Sequence, residues 1–318
     1  MWVTLDDHVR RTVRSDPWTV TVGLARSIFA LATAITLLAN GAHDLFPTDP
    51  ELRGATCQGA ASASLFCVAG AGWGRAVGVL VMAAVVSGWR PRWTCLPHWY
   101  AAQSVMMTIA PLEGGDQIAA IGTLLLLPNL LTDARRNHWR VPSAGSAGVT
   151  RRYLGHTSVP MVRVQVCVVY LHAAVGKMAE AEWQDGTALY YWLSDPVFGV
   201  PSWGATATEW VVGTALGVAA LTWSTVLVEL ALALGIVAGP RLRRVLLVLG
   251  LGLHGAIAVL LGLMSFAVTM AGALVVYLVR DRDLSDARAS AGQALTRVRR
   301  ELRRLRLGSR PAPGREDA

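Results

Sequence analysis

The chain has 318 residues, of which 53% are apolar and only 16% are charged, and its mean hydropathy is +0.43. These values exclude an ordinary soluble domain and predict a protein of the lipid bilayer. The net charge of +8 lies mainly in short segments between apolar runs and at the C-terminus, so it gives no reason to expect nucleic-acid binding. We therefore expect an all-α integral membrane protein, a bundle of about eight transmembrane helices.

The first half of the chain predicts four membrane spans. Residues 1–17 form a cytoplasmic N-terminal segment, and the first span follows at about 18–40. Its apolar run is longer than the core of a cleaved signal peptide, and further spans follow it. A polar loop at 41–72 then precedes the second span. The next three spans lie at about 73–88, 95–111 and 117–131.

The second half predicts four more spans within a membrane domain that covers residues 18–280. A polar segment at 132–160 leads to the fifth span, at about 161–181, and the sixth lies at about 210–238. The seventh and eighth spans share residues 244–280, with a tight turn near Gly262. Runs of about 20 apolar residues are what a helix needs to cross a bilayer.

The arginines predict the orientation of these spans. Ten arginines lie in the loops assigned to the inside, whereas the loops assigned to the outside contain only Arg53 and, at a border, Arg75. The ten are Arg90, Arg92, Arg135, Arg136, Arg140, Arg151, Arg152, Arg241, Arg243 and Arg244. Such asymmetry follows the positive-inside rule and predicts that both termini lie in the cytoplasm.

The C-terminal segment, residues 281–318, predicts a basic cytoplasmic tail that is partly an amphipathic helix. Seven arginines lie between 297 and 310. Leu295, Val298, Leu302 and Leu305 share one helical face among these arginines, a pattern typical of a helix on an anionic leaflet. A solvated charge run is the alternative.

Four cysteines divide by position. Cys57 and Cys67 share the outer loop, on the oxidising side of the membrane, and we expect a disulfide between them, either structural or redox-active. Cys95 and Cys167 lie in or near spans and are expected to be packing residues. No pattern resembles a metal site.

Lys177, in the fifth span, is the only lysine of the chain, and the other 28 basic residues are arginines. A lysine amine can lose its proton when it is desolvated, whereas a guanidinium cannot, so this position suits a base or nucleophile. The alternative is a stray lysine that snorkels to the membrane surface. Pairing with Glu180, three residues further on, would keep the amine protonated.

Other ionisable residues within the predicted spans extend this site. Arg163, Tyr170 and Lys177 recur every seven residues and therefore share one helical face. We take Lys177, Tyr170 and His254 as candidate catalytic residues. Arg26 and Glu229 lie at matched depth in the first and sixth spans, and we predict that they form a structural ion pair because each alone would be costly in hydrocarbon.

Several segments resemble the sporulation-delaying protein B (SdpB) family over about residues 15–280. They are LARSIFALATAITLL, SGWRPRW, the GGDQ turn, TDARRNHW and the segment around Lys177. The resemblance implies a multi-pass membrane protein that acts with a small partner, sporulation-delaying protein A, in the maturation of a secreted peptide toxin.

The chain also resembles the HTTM domain, the membrane part of vitamin K-dependent γ-glutamyl carboxylases. There an apolar helix ends in a lysine, and an acidic stretch, Trp, an acidic residue and Gly follow. Here Lys177, Glu180, Glu182, Trp183, Asp185 and Gly186 fill this motif, with one extra residue before the tryptophan. The residues at like places elsewhere in that domain are Arg26, His98, Glu229, His254 and Phe266. The resemblance implies that the lysine deprotonates a hydroquinone.

Three functions therefore stay open. The leading one is the maturation of a secreted peptide precursor. The second is a quinone-dependent membrane enzyme with Lys177 as its base, and the third is a non-enzymatic immunity or export factor in which Lys177 is a structural charge. A transporter is not favoured, because the span lengths show no inverted repeat.

Overall fold

The computed structural model describes residues 15–46, 50–110, 113–140 and 147–281. Within these ranges the chain forms helices and no β-strand. In chain order they are α1 (Val20–Ala39), α2 (Ala42–Leu45), α3 (Pro50–Thr56), α4 (Leu65–Ala69), α5 (Ala71–Val86), α6 (Pro91–Thr108), α7 (Gly114–Leu131), α8 (Val149–Lys177), α9 (Ala181–Gln184), α10 (Ala188–Ser194), α11 (Ser202–Val212), α12 (Ala215–Ala233), α13 (Pro240–Leu261) and α14 (Met264–Leu278). Two short 3₁₀ helices are Gly59–Ala63 and Leu234–Val237.

Two compact units divide the chain, residues 1–279 and residues 280–318. Of the second unit, only Arg280 and Asp281 are described. The predicted amphipathic helix of the tail therefore lies outside the described residues, as does most of the N-terminal segment.

Four helices are long and apolar enough to cross a bilayer: α1, α8, α12 with its 3₁₀ extension, and α13. The helices α5 and α14 are apolar but shorter, with 16 and 15 residues. The described part of the chain is thus that of a helical membrane protein. The eight-span arrangement and the cytoplasmic termini stay predictions.

Apolar side chains on the outside of the bundle fit this assignment. Along α13, Val245, Val248, Leu251 and Val259 are between 40% and 70% exposed. An apolar surface of this kind is unfavourable in water and suits contact with lipid chains.

The helix α8 begins at Val149, well before the predicted start of the fifth span at residue 161. Its 29 residues correspond to about 43 Å, longer than the hydrocarbon core of a bilayer, so its first turns can lie in a polar environment. There Arg151 Nε donates to the carbonyl of Thr132 at 2.6 Å, and Arg152 lies 3.2 Å from the carboxylate of Asp16. These arginines lie on a helix and not in a loop.

The predicted sixth span, residues 210–238, is interrupted in the structure. The helix α11 ends at Val212, and the hydroxyl of Thr214 accepts a hydrogen bond from the backbone N–H of Gly217 at 3.1 Å. A threonine in this position caps the start of a new helix, here α12. The predicted span therefore corresponds to α12 with its 3₁₀ extension, residues 215–237, and its first residues belong to the preceding helix α11.

The packing of the helices determines which side chains can meet. The helix α14 packs against α1, α13, α7 and α8. At its contact with α1, a side chain on Gly272 would lie 3.1 Å from the ring of Phe29, so a glycine is needed for this close approach. The helix α12 packs instead against α8 and α13. Side chains on α8, α12 and α13 can therefore form one site.

Candidate functional site

Lys177, the last residue of α8, forms an ion pair with Glu229 of α12. Its Nζ donates to Oε1 and to Oε2 of the carboxylate, at 2.8 Å in both cases. The side chains are 22% and 11% exposed, so the pair is largely removed from solvent. The same Nζ lies 3.5 Å from the carbonyl of Ala173, one turn back along α8. The lysine therefore points into the bundle and does not snorkel outward.

Tyr170 and His254 form a second pair beside this one. The Tyr170 hydroxyl lies 2.8 Å from Nε2 of His254, which is on α13. Both side chains are buried, and Phe266 packs edge-on against the imidazole at 5.3 Å between ring centres. Nδ1 of His254 has no hydrogen-bond partner among the described residues. A buried imidazole nitrogen without a partner is available to a ligand or a proton.

The two pairs act on each other electrostatically. The positive charge of the Lys177 ammonium interacts with the imidazole of His254, and the negative charge of the Glu229 carboxylate interacts with the hydroxyl of Tyr170. All four groups lie where α8, α12 and α13 meet. The structure thus brings together the three predicted catalytic residues, Lys177, Tyr170 and His254, and adds Glu229 to them.

The predicted face of α8 reaches a different helix with each of its three residues. Arg163 Nε donates to the carbonyl of Val276 on α14 at 3.0 Å. Tyr170 reaches α13, and Lys177 reaches α12. His172, which lies on the opposite side of α8, is exposed. The seven-residue spacing therefore indicated the face of α8 whose polar side chains contact the neighbouring helices.

The predicted ion pair between Arg26 and Glu229 is absent from the described part of the chain. Glu229 binds Lys177, and Arg26 Nη2 donates to the hydroxyl of Thr94 at 2.7 Å. The reason is the packing, because α1 contacts α14 and α5 whereas α12 contacts α8 and α13. Equal depth in the membrane does not make two helices neighbours.

The motif residues after Lys177 form the turns that follow α8, and one of them, Trp183, lies beside the ion pair. Lys177 Nζ lies 5.1 Å from the centre of the Trp183 ring, a distance at which a cation and an aromatic face attract each other. Asp185 Oδ1 accepts bonds from the N–H and the hydroxyl of Thr187 and fixes the turn after α9. Gly186 has a φ of +83° and lies against α12, where a side chain would meet Trp223 and Ala219. Glu180 is exposed, and Lys177 pairs with Glu229 instead.

Two curated proteins of Bacillus subtilis are similar to this chain over most of its length. One, YitO, is 34% identical over 282 residues, which cover 86% of this chain and 90% of YitO. The other, sporulation-delaying protein SdpB, is 34% identical over 268 residues, which cover 83% of this chain and 82% of SdpB. The chain belongs to the SdpB family. This membership confirms the family resemblance that the sequence motifs indicated.

Neither family models nor solved structures match this SdpB-family protein. The HTTM resemblance therefore stays a prediction. Among the described residues there is also no group of three or more His, Cys, Asp or Glu side chains that could hold a metal ion.

A pocket of about 420 Å³ opens beside Trp183 in this SdpB-family protein. It is lined by Glu180, Glu182, Trp183, Ala188, Tyr191 and Trp192. The sequence from residue 178 to residue 240 contains no lysine or arginine but six acidic residues, although the whole chain carries a net charge of +8. The segment around the pocket is therefore acidic and aromatic, which favours cationic ligands.

The predicted disulfide region forms a separate feature. Cys57 and Cys67 are bonded to each other, with Cα atoms 5.8 Å apart. A pocket of about 140 Å³ beside the disulfide is lined by residues that include Phe46, Phe66 and Thr108. Cys95 is buried, and Cys167 donates to the carbonyl of Ala233 at 3.3 Å.

Proposed function

We propose that this protein acts at the membrane in the maturation of a secreted peptide toxin, as the resemblance implies for the SdpB family. The support is its similarity to a protein named for delaying sporulation, over most of both chains, together with four helices able to cross a bilayer. The observation that carries a chemical role is the bidentate pair of Lys177 and Glu229.

The Lys177–Glu229 pair can move one proton without a large change in buried charge. In water the ionised pair is strongly preferred, because both ions are solvated. In a site with little water that preference falls, and the neutral pair of amine and carboxylic acid becomes accessible. Lys177 can then act as a base while Glu229 holds the proton. Arginine could not take this role, because it does not release its proton.

Tyr170 and His254 extend the proposed path by one hydrogen bond. The tyrosine hydroxyl and imidazole Nε2 can exchange a proton across 2.8 Å, and Nδ1 of the imidazole stays open on the other side. In this role His254 accepts or supplies the second proton of the step, and Phe266 keeps water from the ring. The four residues then form one proton-handling site.

The acidic and aromatic pocket is the proposed contact surface for the peptide precursor or a sporulation-delaying protein A-like partner. Trp183 belongs both to this pocket and to the environment of Lys177. A basic or amphipathic segment that binds there would come directly beside the ion pair. The pocket and the ion pair would act on the same bound chain.

A second candidate is a non-enzymatic immunity or export factor. The observation that favours it is again the ion pair, since an ammonium held by both carboxylate oxygens at 2.8 Å is also what a purely structural charge pair looks like. In that case Lys177 would join α8 to α12 and take no part in chemistry.

A hydroquinone, which the HTTM resemblance implies, would have to approach Nζ of Lys177, where both carboxylate oxygens of Glu229 are bound. No part of the proposed proton transfer uses a quinone. The quinone-dependent enzyme stays a prediction of the resemblance alone.

Mass spectrometry of culture medium tests the proposed function. Cells that carry the peptide precursor and the small partner are grown with and without this gene. We expect mature peptide only with the gene, and none when Lys177 is changed to Arg. Equal amounts of mature peptide in the presence and absence of the gene would rule out the maturation role. A wild-type amount of mature peptide in the medium of cells with the Lys177→Arg variant would favour the non-enzymatic factor.

A further inference from the structure

Arg26 lies at the end of the bundle where α1 begins, and its guanidinium is fully buried. Its relative exposure is 0%. Nη2 donates to Thr94, whereas Nε and Nη1 have no hydrogen-bond partner among the described residues. Each unmade bond of a buried donor costs free energy, and more so for a charged group. The guanidinium can therefore bind a partner that the described residues do not supply.

Two buried histidines lie beside Arg26. His98 is one turn beyond Thr94 on α6, and His138 is in the segment between α7 and α8. They are 1% and 0% exposed. Nε2 of His98 and Nδ1 of His138 lack a hydrogen-bond partner among the described residues. Electrostatic interactions link Arg26 to both histidines and the histidines to each other, so the three groups are neighbours.

The hydrogen bond of His138 with Ser27 favours a proton on Nδ1, the ring nitrogen that has no partner among the described residues. Its Nε2 lies 3.2 Å from the hydroxyl of Ser27, which can donate to it, and the ring packs on Gly23 one turn earlier on α1. The proton of a neutral imidazole is then on Nδ1. This N–H and the two free nitrogens of Arg26 are donors without acceptors among the described residues, and Nε2 of His98 is a further donor in the tautomer that carries its proton there.

The charges around Arg26 do not cancel. Asp133 is the acidic residue that interacts with it, but both oxygens of this buried carboxylate are bound by Arg135, at 2.7 to 3.1 Å. Two guanidinium groups therefore share one carboxylate. Cys95 provides no negative charge, because its Sγ donates to the carbonyl of Arg92 at 3.2 Å. Among the described residues, one excess positive charge therefore remains in this cluster.

We propose that Arg26, His98 and His138 bind one small anion inside the bundle. A water molecule could accept hydrogen bonds from these donors, but it could not neutralise the excess charge, and an uncompensated charge away from water is costly. Because the three side chains are buried, the ligand has to be small, and we take chloride or a small carboxylate such as formate as the candidates. The anion joins α1, α6 and the segment between α7 and α8.

Thermal unfolding of the purified full-length protein in detergent tests this site. The protein is titrated with chloride, with formate, and with gluconate, which is too large, at constant ionic strength. Because a ligand that binds the folded state raises its stability, we expect Tm to rise and saturate with chloride or formate but not with gluconate. The same Tm in all three salts would show that water fills the site, and the proposal would fail.

Two variants test whether the anion that raises Tm binds at Arg26 and His98. Arg26→Gln removes the charge, and His98→Leu removes one donor without changing the charge; both should raise the half-saturating anion concentration about tenfold or more. Arg163→Gln is the matched control, because it neutralises another arginine of the bundle that donates to a backbone carbonyl, and its response should equal that of the wild type. If Arg26→Gln does not fold, the half-saturating anion concentration of His98→Leu tests the proposal by itself. An unchanged half-saturating concentration in a folded variant would place the anion elsewhere.

Discussion

Glu229 holds the ammonium of Lys177 with both carboxylate oxygens, at 2.8 Å each, although the two residues lie 52 positions apart in the chain. The contact joins the end of α8 to α12. Lys177 is the only lysine of the protein, and among the described residues Glu229 is the carboxylate that forms an ion pair with it. We expect the stability of this region to depend on the pair, and the proposed proton transfer requires it.

Glu229→Gln should destabilise the protein, because Lys177 would keep its charge in a site with little water and lose its counter-ion. Breaking a fully buried pair costs about 3–5 kcal/mol, and the partial exposure of Lys177 lowers our expectation to about 1–3 kcal/mol. Thermal unfolding in detergent measures the change.

The double variant Lys177→Met with Glu229→Leu is the control for this prediction. Apolar residues that replace both partners remove the unpaired charge, so most of the lost stability should return. Peptide maturation should not return with it. A double variant as unstable as Glu229→Gln would show that the loss came from packing around α12 and not from charge.

The sequence pointed to most of this site but not to its central contact. Lys177 was conspicuous as the only lysine, and its spacing from Tyr170 indicated the face of α8 that the structure uses. The sequence marks Glu229 as a charge that is costly in hydrocarbon, but its depth in the span predicts an ion pair with Arg26 and not with Lys177. Position along a span gives the depth of a backbone atom, whereas the ammonium of Lys177 reaches back toward Ala173.

The contacts around Arg26 were also not predictable from the sequence. Its members lie on α1, α6 and a connecting segment, and no periodic pattern links Ser27, Thr94 and His138 in the sequence. Hydrophobic periodicity predicts where helices form, but which helices become neighbours depends on packing such as that of Gly272 against Phe29. The sequence therefore predicted the helices better than the contacts between them.

Tyr170→Phe should destabilise the protein by about 1–3 kcal/mol, because His254 would then be buried with neither nitrogen bonded. The same substitution at Tyr100 is a matched control. Its hydroxyl donates to the carbonyl of Ala63 at 2.7 Å in an exposed position, so its loss leaves no group unpaired in the interior of the bundle and the change in Tm should be smaller. Equal losses in the two variants would contradict a special role for the Tyr170–His254 bond.

In gluconate, which is too large for the proposed anion site, the stability of the protein should fall in acid partly because of His138. Burial, together with the positive charges of Arg26 and Arg135, lowers the pKa of this histidine from 6.5 to about 3. The unfolded chain then binds the extra proton between these pH values while the folded chain does not. The contribution of neutral His138 is therefore complete above about pH 6.5 and is lost as the pH falls toward 3, by up to about 1.4 kcal/mol per pH unit.

Comparison with His138→Gln isolates this contribution, since other groups titrate in the same range. The wild type should lose more stability than the variant between pH 6.5 and pH 4.5, measured as the difference between their unfolding free energies. Parallel pH profiles for the two proteins would mean that His138 is not buried as a neutral group.

Lys177→Arg separates a proton-transferring lysine from a structural one. Arginine keeps the positive charge and can still bind both oxygens of Glu229, so the protein should stay folded in the membrane with Tm near that of the wild type. It cannot release its proton, so the neutral pair that the proposed step requires is no longer accessible. We expect the loss of mature peptide from the medium, by at least about 100-fold, which is the lower range for the removal of a general base.

The reverse exchange at Arg163 is the control for this substitution. Arg163→Lys changes the same two residue types on the same face of α8, and a lysine can also donate to the carbonyl of Val276. Maturation should continue, because that side chain has no proton to transfer in the proposed step. Normal secretion from Lys177→Arg would leave the lysine with a structural role only. Loss of secretion from both variants, with both proteins folded, would show that the packing of α8 decides the outcome and not the chemistry of residue 177.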